Sequence, residues 1–259
     1  MQNAVIALFF ALSLCLSAFA DGGNVTSDVN QTKQPDFRYS IGFGVINTMY
    51  FTKSSGSRWF ALPYGDLRYK TLFLSLRGAG ADLPLGGGVI LSPTIGYRGG
   101  RDDDGSLKGM GVVDAEATYG ASISLMRPRV VLGASFFRGF SSGSATYGIN
   151  VGFPFALGDN WTISPALSAQ FGDRKYNQAY YGVSARQAAR TRYDPYEPNG
   201  GLTGISTALA ISYRITKKLS ANLFIRHTRF VDQAAKSPLT KDGAYNQNNF
   251  GAIIVYKPR

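Results

Sequence analysis

The feature that most constrains this chain is a two-residue period that returns in stretch after stretch. Across residues 161–171, Trp161, Ile163, Pro165, Leu167, Ala169 and Phe171 alternate with Thr162, Ser164, Ala166, Ser168 and Gln170. Successive side chains of a strand point to opposite sides, so such a segment has one apolar face and one small, polar face. Residues 112–125 repeat the pattern, with Val113, Ala115, Ala117, Tyr119, Ala121, Ile123 and Leu125 set against Asp114, Glu116, Thr118, Gly120, Ser122 and Ser124. Residues 145–155 do the same, and so do 37–46, 88–98, 129–138, 202–213, 218–228 and 248–256, with 71–83 less regular. No stretch of useful length carries a helical period, so the chain reads as all-β.

Connections between these segments alternate in length. Residues 84–87, 126–128, 157–160 and 215–218 are tight turns, whereas 48–70, 99–111, 173–200 and 231–247 read as long loops and 139–143 as a shorter one. Short periplasmic turns opposite longer extracellular loops are the habit of membrane barrels. With both ends on the periplasmic side the count is ten strands, or twelve if residues 58–70 supply another pair. A soluble β-sandwich is the competing fold. Strands of this length match the ~9–11 residues of a membrane-crossing strand better than the usual ~5–6 of a globular sheet. Aromatics also cluster near strand ends (Tyr39, Tyr97, Phe136, Phe155, Trp161, Phe171, Tyr213, Phe230, Tyr256), where interfacial girdles sit. The expectation is a transmembrane antiparallel β-barrel over residues 36–259, in the outer membrane of a Gram-negative cell.

Residues 4–20 form an apolar run closing on Ala18-Phe19-Ala20. That small-x-small ending marks residues 1–20 as a secretory signal peptide, cut between Ala20 and Asp21. Residues 21–35 are polar and read as a disordered periplasmic segment. The single cysteine, Cys15, falls in the leader, so the mature chain has no disulfide or thiol chemistry. The net charge of +11 is strewn from Lys33 to Arg259 rather than gathered on one stripe. Nucleic acid is therefore a poor partner, and an anionic surface such as lipopolysaccharide phosphate a better one.

Little in the chain resembles catalytic machinery. Asp114 and Glu116 could be paired carboxylates for acid-base work, but Arg38, Arg98, Arg129, Arg214 and Arg226 share the polar faces, so salt bridges across a narrow lumen are the favoured reading. His227 is the only histidine and falls on an outward face by parity. Asp102-Asp103-Asp104-Gly105 lacks the further oxygen ligands of a calcium loop. Gly86-Gly87-Gly88 has no Lys-Ser/Thr partner and reads as a turn, not a phosphate cradle. No cofactor or metal is implied.

Residues 249–256, Asn-Phe-Gly-Ala-Ile-Ile-Val-Tyr, follow the order polar, any, Gly, two of any, apolar, any, aromatic. This resembles the C-terminal signal read by the barrel-assembly machinery, with Gly251, Ile254 and Tyr256 at its marked positions. Elsewhere, Tyr180-Tyr181-Gly182-Val183-Ser184 with Gln187-Ala188, then Tyr196, Gly200-Gly201-Leu202 and Ser237-Pro238-Leu239 resemble the MipA/OmpV family, as do Gly100-Arg101 and Leu107-Lys108-Gly109 upstream. The resemblance runs over roughly residues 37–257. It implies an outer-membrane barrel without assigned catalysis, acting as a scaffold that meets a murein transglycosylase and a penicillin-binding protein. A narrow small-solute channel and a surface adhesin or receptor are the alternatives. The loop motifs themselves read first as structural: Gly182 and Gly200-Gly201 as turns of positive φ, Ser237-Pro238 as an extended bend, and the tyrosines as packing over the barrel mouth.

Overall fold

The computed structural model describes residues 36–49, 57–243 and 245–258. The expected leader, with its Ala20/Asp21 junction, and residues 21–35 lie outside them. The chain forms β1 (Phe37–Met49), β2 (Ser57–Tyr69), β3 (Leu72–Ser75), β4 (Gly78–Ala81), β5 (Leu83–Gly86), β6 (Val89–Arg98), β7 (Glu116–Arg127) and β8 (Val130–Gly139). It continues as β9 (Ala145–Gly152), β10 (Phe155–Leu157), β11 (Trp161–Gly172), β12 (Gly201–Arg214), β13 (Leu219–Phe230) and β14 (Asn246–Tyr256). Every pairing is antiparallel, and β1 closes on β14 from Ile41↔Tyr256 to Thr48↔Asn249. The pieces β4 and β5 share one stave, as do β9 and β10, so the closed barrel has twelve staves, the higher of the two expected counts.

The difference from ten has a local cause. Residues 57–69, expected within a loop, form β2, whose outward row Trp59, Ala61, Pro63, Gly65, Leu67, Tyr69 does alternate with Phe60, Leu62, Tyr64, Asp66 and Arg68. Residues 71–83, expected as one strand, turn back at Leu76–Arg77 to make the β3–β4 hairpin. That hairpin is short. β2 pairs with β3 only over Asp66–Tyr69, and β4 meets β6 only at Ala79↔Ile95 and Gly80↔Thr94.

The exterior is apolar. Phe43 (61% exposed), Ile95 (58%) and Ile149 (54%) stand in a continuous outward band far larger than a soluble monomer carries. Aromatic pairs bracket it: Trp161 and Tyr213 at 4.5 Å at the periplasmic end, Trp59 and Phe250 at 5.3 Å and Phe136 and Tyr147 at 5.3 Å toward the other. In hydrocarbon only helices and closed barrels leave no backbone group unpaired, so this exterior and this closure place the protein in an outer membrane. The last strand puts Phe250, Ile254 and Tyr256 outward and Gly251, Ile253 and Val255 inward. Gly251 admits no side chain, since a Cβ there would stand 2.6 Å from the Val45 carbonyl oxygen and 2.7 Å from the Phe224 ring.

Candidate functional site

The lumen has two unlike walls. On β1, β2, β12, β13 and β14, the inward side chains of Ile46, Leu62, Tyr64, Ala210, Phe224, Ile253 and Val255 form one buried apolar cluster, against which Phe60 and Leu76 pack. Opposite, β6 to β9 and β11 turn inward small and polar groups such as Ser92, Thr94, Thr118, Thr146 and Ser168. The alternation seen in the sequence explains the second wall. It does not announce the first, because residues 45 and 46, or 253 to 255, are apolar in succession and only the register decides which points in.

Charged side chains are anchored at three places in this interior. At the extracellular end, Arg98 lies 3.4 Å from Glu116 and donates to Ser144 Oγ at 2.5 Å. Glu116 accepts in turn from Ser141 N (3.2 Å), Ser142 N (3.0 Å), Ser141 Oγ (2.9 Å) and Ser142 Oγ (2.7 Å), so one carboxylate holds the β8–β9 loop. Arg226 donates to Ser206 Oγ at 3.1 Å and Ser168 Oγ at 3.4 Å. Toward the periplasm, Asp82 accepts from Arg68, Arg77 and Ser92 at 2.8, 2.8 and 2.6 Å, and Arg68 also reaches Asp66 at 2.8 Å.

Of the charges expected in the lumen, Arg38 is half-buried on the face of Ser40, and Arg98, Glu116 and Arg226 point inward. Two do not. Asp114 precedes β7 and is exposed, because Val113 bridges to Arg101 outside the strand and ends the parity on which the expectation stood. Arg129 is exposed in the two-residue turn between β7 and β8. The Asp66–Arg68–Arg77–Asp82 network escaped sequence reading because two of its members sit on β2, taken for loop, and the other two sit in the turn of, and just after, a hairpin taken for straight strand. The signal was the alternation of residues 59–69.

Above the lumen, three loops fold together. The β11–β12 loop carries α1 (Arg174–Tyr181) and α2 (Ala185–Ala188); the β13–β14 loop carries α3 (Asp232–Lys236) and α4 (Pro238–Asp242). Asp173 caps α1 by accepting from Tyr176 N, and Ser184 with Gln187 forms a capping box on α2. Leu107, Met110, Val183, Tyr193 and Leu239 make a small core shared by the loops, and Tyr176, Tyr181 and Ala234 a second. Tyr180 donates to the Gly99 carbonyl at 2.5 Å, Tyr193 to Ser106 O at 2.8 Å and Tyr196 to Gln233 O at 2.8 Å. Ser237, fully buried, donates to Tyr181 O at 2.6 Å and caps α4. Gly182 has φ −77°, so no positive φ is needed there; a Cβ would instead collide with Gln178, 2.3 Å away. Ser237 is an N-cap joining two loops, and Pro238 is the first residue of α4.

The cap sits on the lumen charge. The Arg98 guanidinium lies 5.2 Å from the Tyr176 ring, which stacks at 4.6 Å on Tyr180. Burial pushes the phenols of Tyr176, Tyr180 and Tyr181 above their ordinary range, and pushes the Arg101 guanidinium, which donates to Tyr180 O at 3.2 Å, downward. Asp103 accepts from Gly109 N at 2.6 Å within its own loop, and no cluster of metal-ligating side chains occurs among the described residues. His227 faces outward against Asn248.

A family model described as MltA-interacting protein MipA matches residues 41–258. The chain is similar to the MltA-interacting proteins of Escherichia coli (strain K12) and Shigella flexneri, 31% identical over 78 residues. Those residues are 30% of this chain and 31% of either relative, so the match spans about a third of the relatives' length. Among solved structures, the chain is similar to the COG4313 outer membrane channel from Pseudomonas putida F1, with TM-score 0.47 and 9% identity over 88% of this chain and 97% of that one. It is also similar to the NanC porin, with TM-score 0.41 and 8% identity over 86% of this chain and 100% of that one.

Proposed function

The chain belongs to the MipA family, and on that premise we propose that it is an outer-membrane platform for peptidoglycan-remodelling enzymes. It holds a murein transglycosylase, and through it a penicillin-binding protein, against the inner face of the outer membrane. The observation that carries this reading is the charge of the periplasmic rim. Lys70, Arg127, Arg129, Arg214, Lys217 and Lys218 are all exposed on the short turns there or on the strand ends beside them, with Asp36 and Asp159 as the opposing carboxylates. Such a rim attracts an acidic protein face and the anionic wall polymer alike. Turns this short offer less than the ~800 Å² per partner of a stable interface, so residues 21–35, which precede Asp36 in the chain, complete the contact. At the other rim the exposed Arg174, Lys175, Arg186 and Arg190 meet lipopolysaccharide phosphates, and Gly251, Ile254 and Tyr256 serve delivery by the barrel-assembly machinery.

Deleting residues 22–34 tests the proposal. Transglycosylase co-purification from cross-linked envelopes is lost while the barrel keeps its heat-modifiable mobility, and Lys217→Glu with Lys218→Glu weakens it in a salt-dependent manner. Undiminished co-purification from both variants would overturn the platform reading. The folded cap and the anchored lumen charges argue against the narrow-channel alternative, for which planar-bilayer conductance is the direct measurement.

A further inference from the structure

The loop between β8 and β9 brings two like charges to one point. Gly143 in that loop has φ +62°, a left-handed conformation that favours glycine. A Cβ on Gly143 would have as its nearest heavy atoms Arg138 Nη2 and Lys175 Nζ, each at 3.6 Å, and Arg138 Nε at 3.9 Å. Arg138 tops the outward row of β8, and Lys175 comes from α1 of the cap. Both side chains are exposed, and neither makes a hydrogen bond or ion pair with another described residue. The carboxylates close by in the chain are engaged elsewhere: Asp173 caps α1, and Glu116 holds Ser141 and Ser142. Two cations that converge in this way repel each other unless an anion shares the point with them.

What surrounds the pair narrows the kind of anion. Arg138 stands opposite Tyr119 on β7 and Ala145 on β9. One step toward the membrane centre lies the outward pair of Phe136 and Tyr147, and Tyr119 stacks on Phe140 at 4.8 Å. Leu132 and Ile149, both exposed, continue the apolar band below. The cations therefore lie at the headgroup level of the outer leaflet, directly above rings and alkyl groups that face lipid. A free anion would use the charges alone; a lipid headgroup uses the charges and the apolar surface beneath them.

We propose that Arg138 and Lys175 hold one lipid A phosphate of lipopolysaccharide at the junction of barrel wall and cap. Arg138 presents its planar fork to the phosphoryl oxygens and Lys175 a point charge. The acyl chains run down over Phe136, Tyr147 and Ile149. Gly143 keeps the approach open, since a side chain there would stand between the two cations. Because Lys175 rides on α1 and Arg138 on β8, the bound phosphate also fastens the cap to the wall. The inference rests on the lipopolysaccharide contact proposed above for the outer rim and narrows it from a diffuse charge to one site.

The test is native mass spectrometry of the full chain, refolded in detergent and titrated with purified bisphosphorylated lipid A. Arg138→Gln with Lys175→Gln lowers affinity by about ten-fold, as expected when a charge-assisted hydrogen bond is lost, whereas Arg186→Gln with Arg190→Gln, an equal charge change on the same rim, leaves it within about two-fold. Equal losses in the two variants would refute the site and leave the diffuse rim contact standing; no loss in either would refute both. Should the first variant fail to assemble, the native protein decides. Dephosphorylated lipid A binds about ten-fold more weakly, and hydrogen exchange of residues 174–181 slows with the phosphorylated lipid alone. Equal binding of the dephosphorylated lipid overturns the proposal, as does equal slowing by inorganic phosphate, which would make the occupant a free anion.

Discussion

Replacing Glu116 by alanine should loosen the extracellular end of the barrel more than any other single charge change. The Glu116 and Arg98 side chains are 8% and 9% exposed and stand 3.4 Å apart. At an effective dielectric of ~20 their attraction is about 5 kcal/mol before desolvation is counted. Most of that is offset in the intact pair, but removing one partner strands the other charge, at a cost of about 3–5 kcal/mol. Alanine also frees the donors of Ser141 and Ser142. These donors are exposed and regain water, so each adds at most about 1 kcal/mol. Glu116→Gln keeps an acceptor for the serines and should be milder by roughly that amount. Asp114→Ala, at an exposed position with no side-chain hydrogen bond or ion pair among the described residues, should stay within about 0.5 kcal/mol. Urea unfolding of the refolded protein in detergent, followed through Trp59 and Trp161, gives all three numbers. A Glu116→Ala midpoint equal to that of Asp114→Ala would show that the carboxylate does not hold the loop and that the reasoning is wrong.

Tyr256→Asp, which puts a charge on the lipid side of the closing strand, should leave the chain periplasmic and degraded; a normal heat-modifiable band in the outer membrane is the contrary result. Ser237→Ala removes a buried bond to Tyr181 O and the cap of α4, about 1–3 kcal/mol, and should speed proteolysis within residues 182–200 by roughly ten-fold or more without unfolding the barrel. Alkali should open the cap. The folded pKa values of Tyr176, Tyr180 and Tyr181 are raised, so their contribution is complete below the ordinary tyrosine value near 10 and is lost as pH climbs through the raised values. Hydrogen exchange of residues 174–188 should therefore accelerate beyond the intrinsic pH effect above that point, and should do so much less in Tyr180→Phe with Tyr181→Phe, where Tyr176 alone is left to ionise.

What could be read from the chain followed from having two solvents. Wherever a strand separates lipid from a polar lumen, as in β7 or β11, the period of two is stark and the strand is visible. Where the lumen is itself apolar, as along Ile253-Ile254-Val255, the pattern loses contrast, and the inner cluster had no sequence signature. β2 was obscured for a different reason: Pro63, Gly65, Asp66 and Arg68 are loop-like residues, and only the structure pairs Asp66 with Arg68 and sets Pro63 on an open edge. The cap motifs around Tyr180 and Ser237 were visible as a group, but their partners, Gly99 and Tyr181, are carbonyls, and a carbonyl leaves no mark in a sequence.

The seam between β1 and β14 bears on how the barrel is made. Ile41 lies against Tyr256, so the first strand to emerge waits for the last, and the wall remains an open sheet until almost the whole polypeptide has arrived. Closure of this kind cannot proceed by increments as local helices do, since the entropy of the long intervening loop is spent before the final ladder forms. A chain interrupted anywhere before residue 249 has two raw edges and no way to join them. Biogenesis thus discriminates complete from incomplete copies at the seam itself, before any ligand or partner has been engaged.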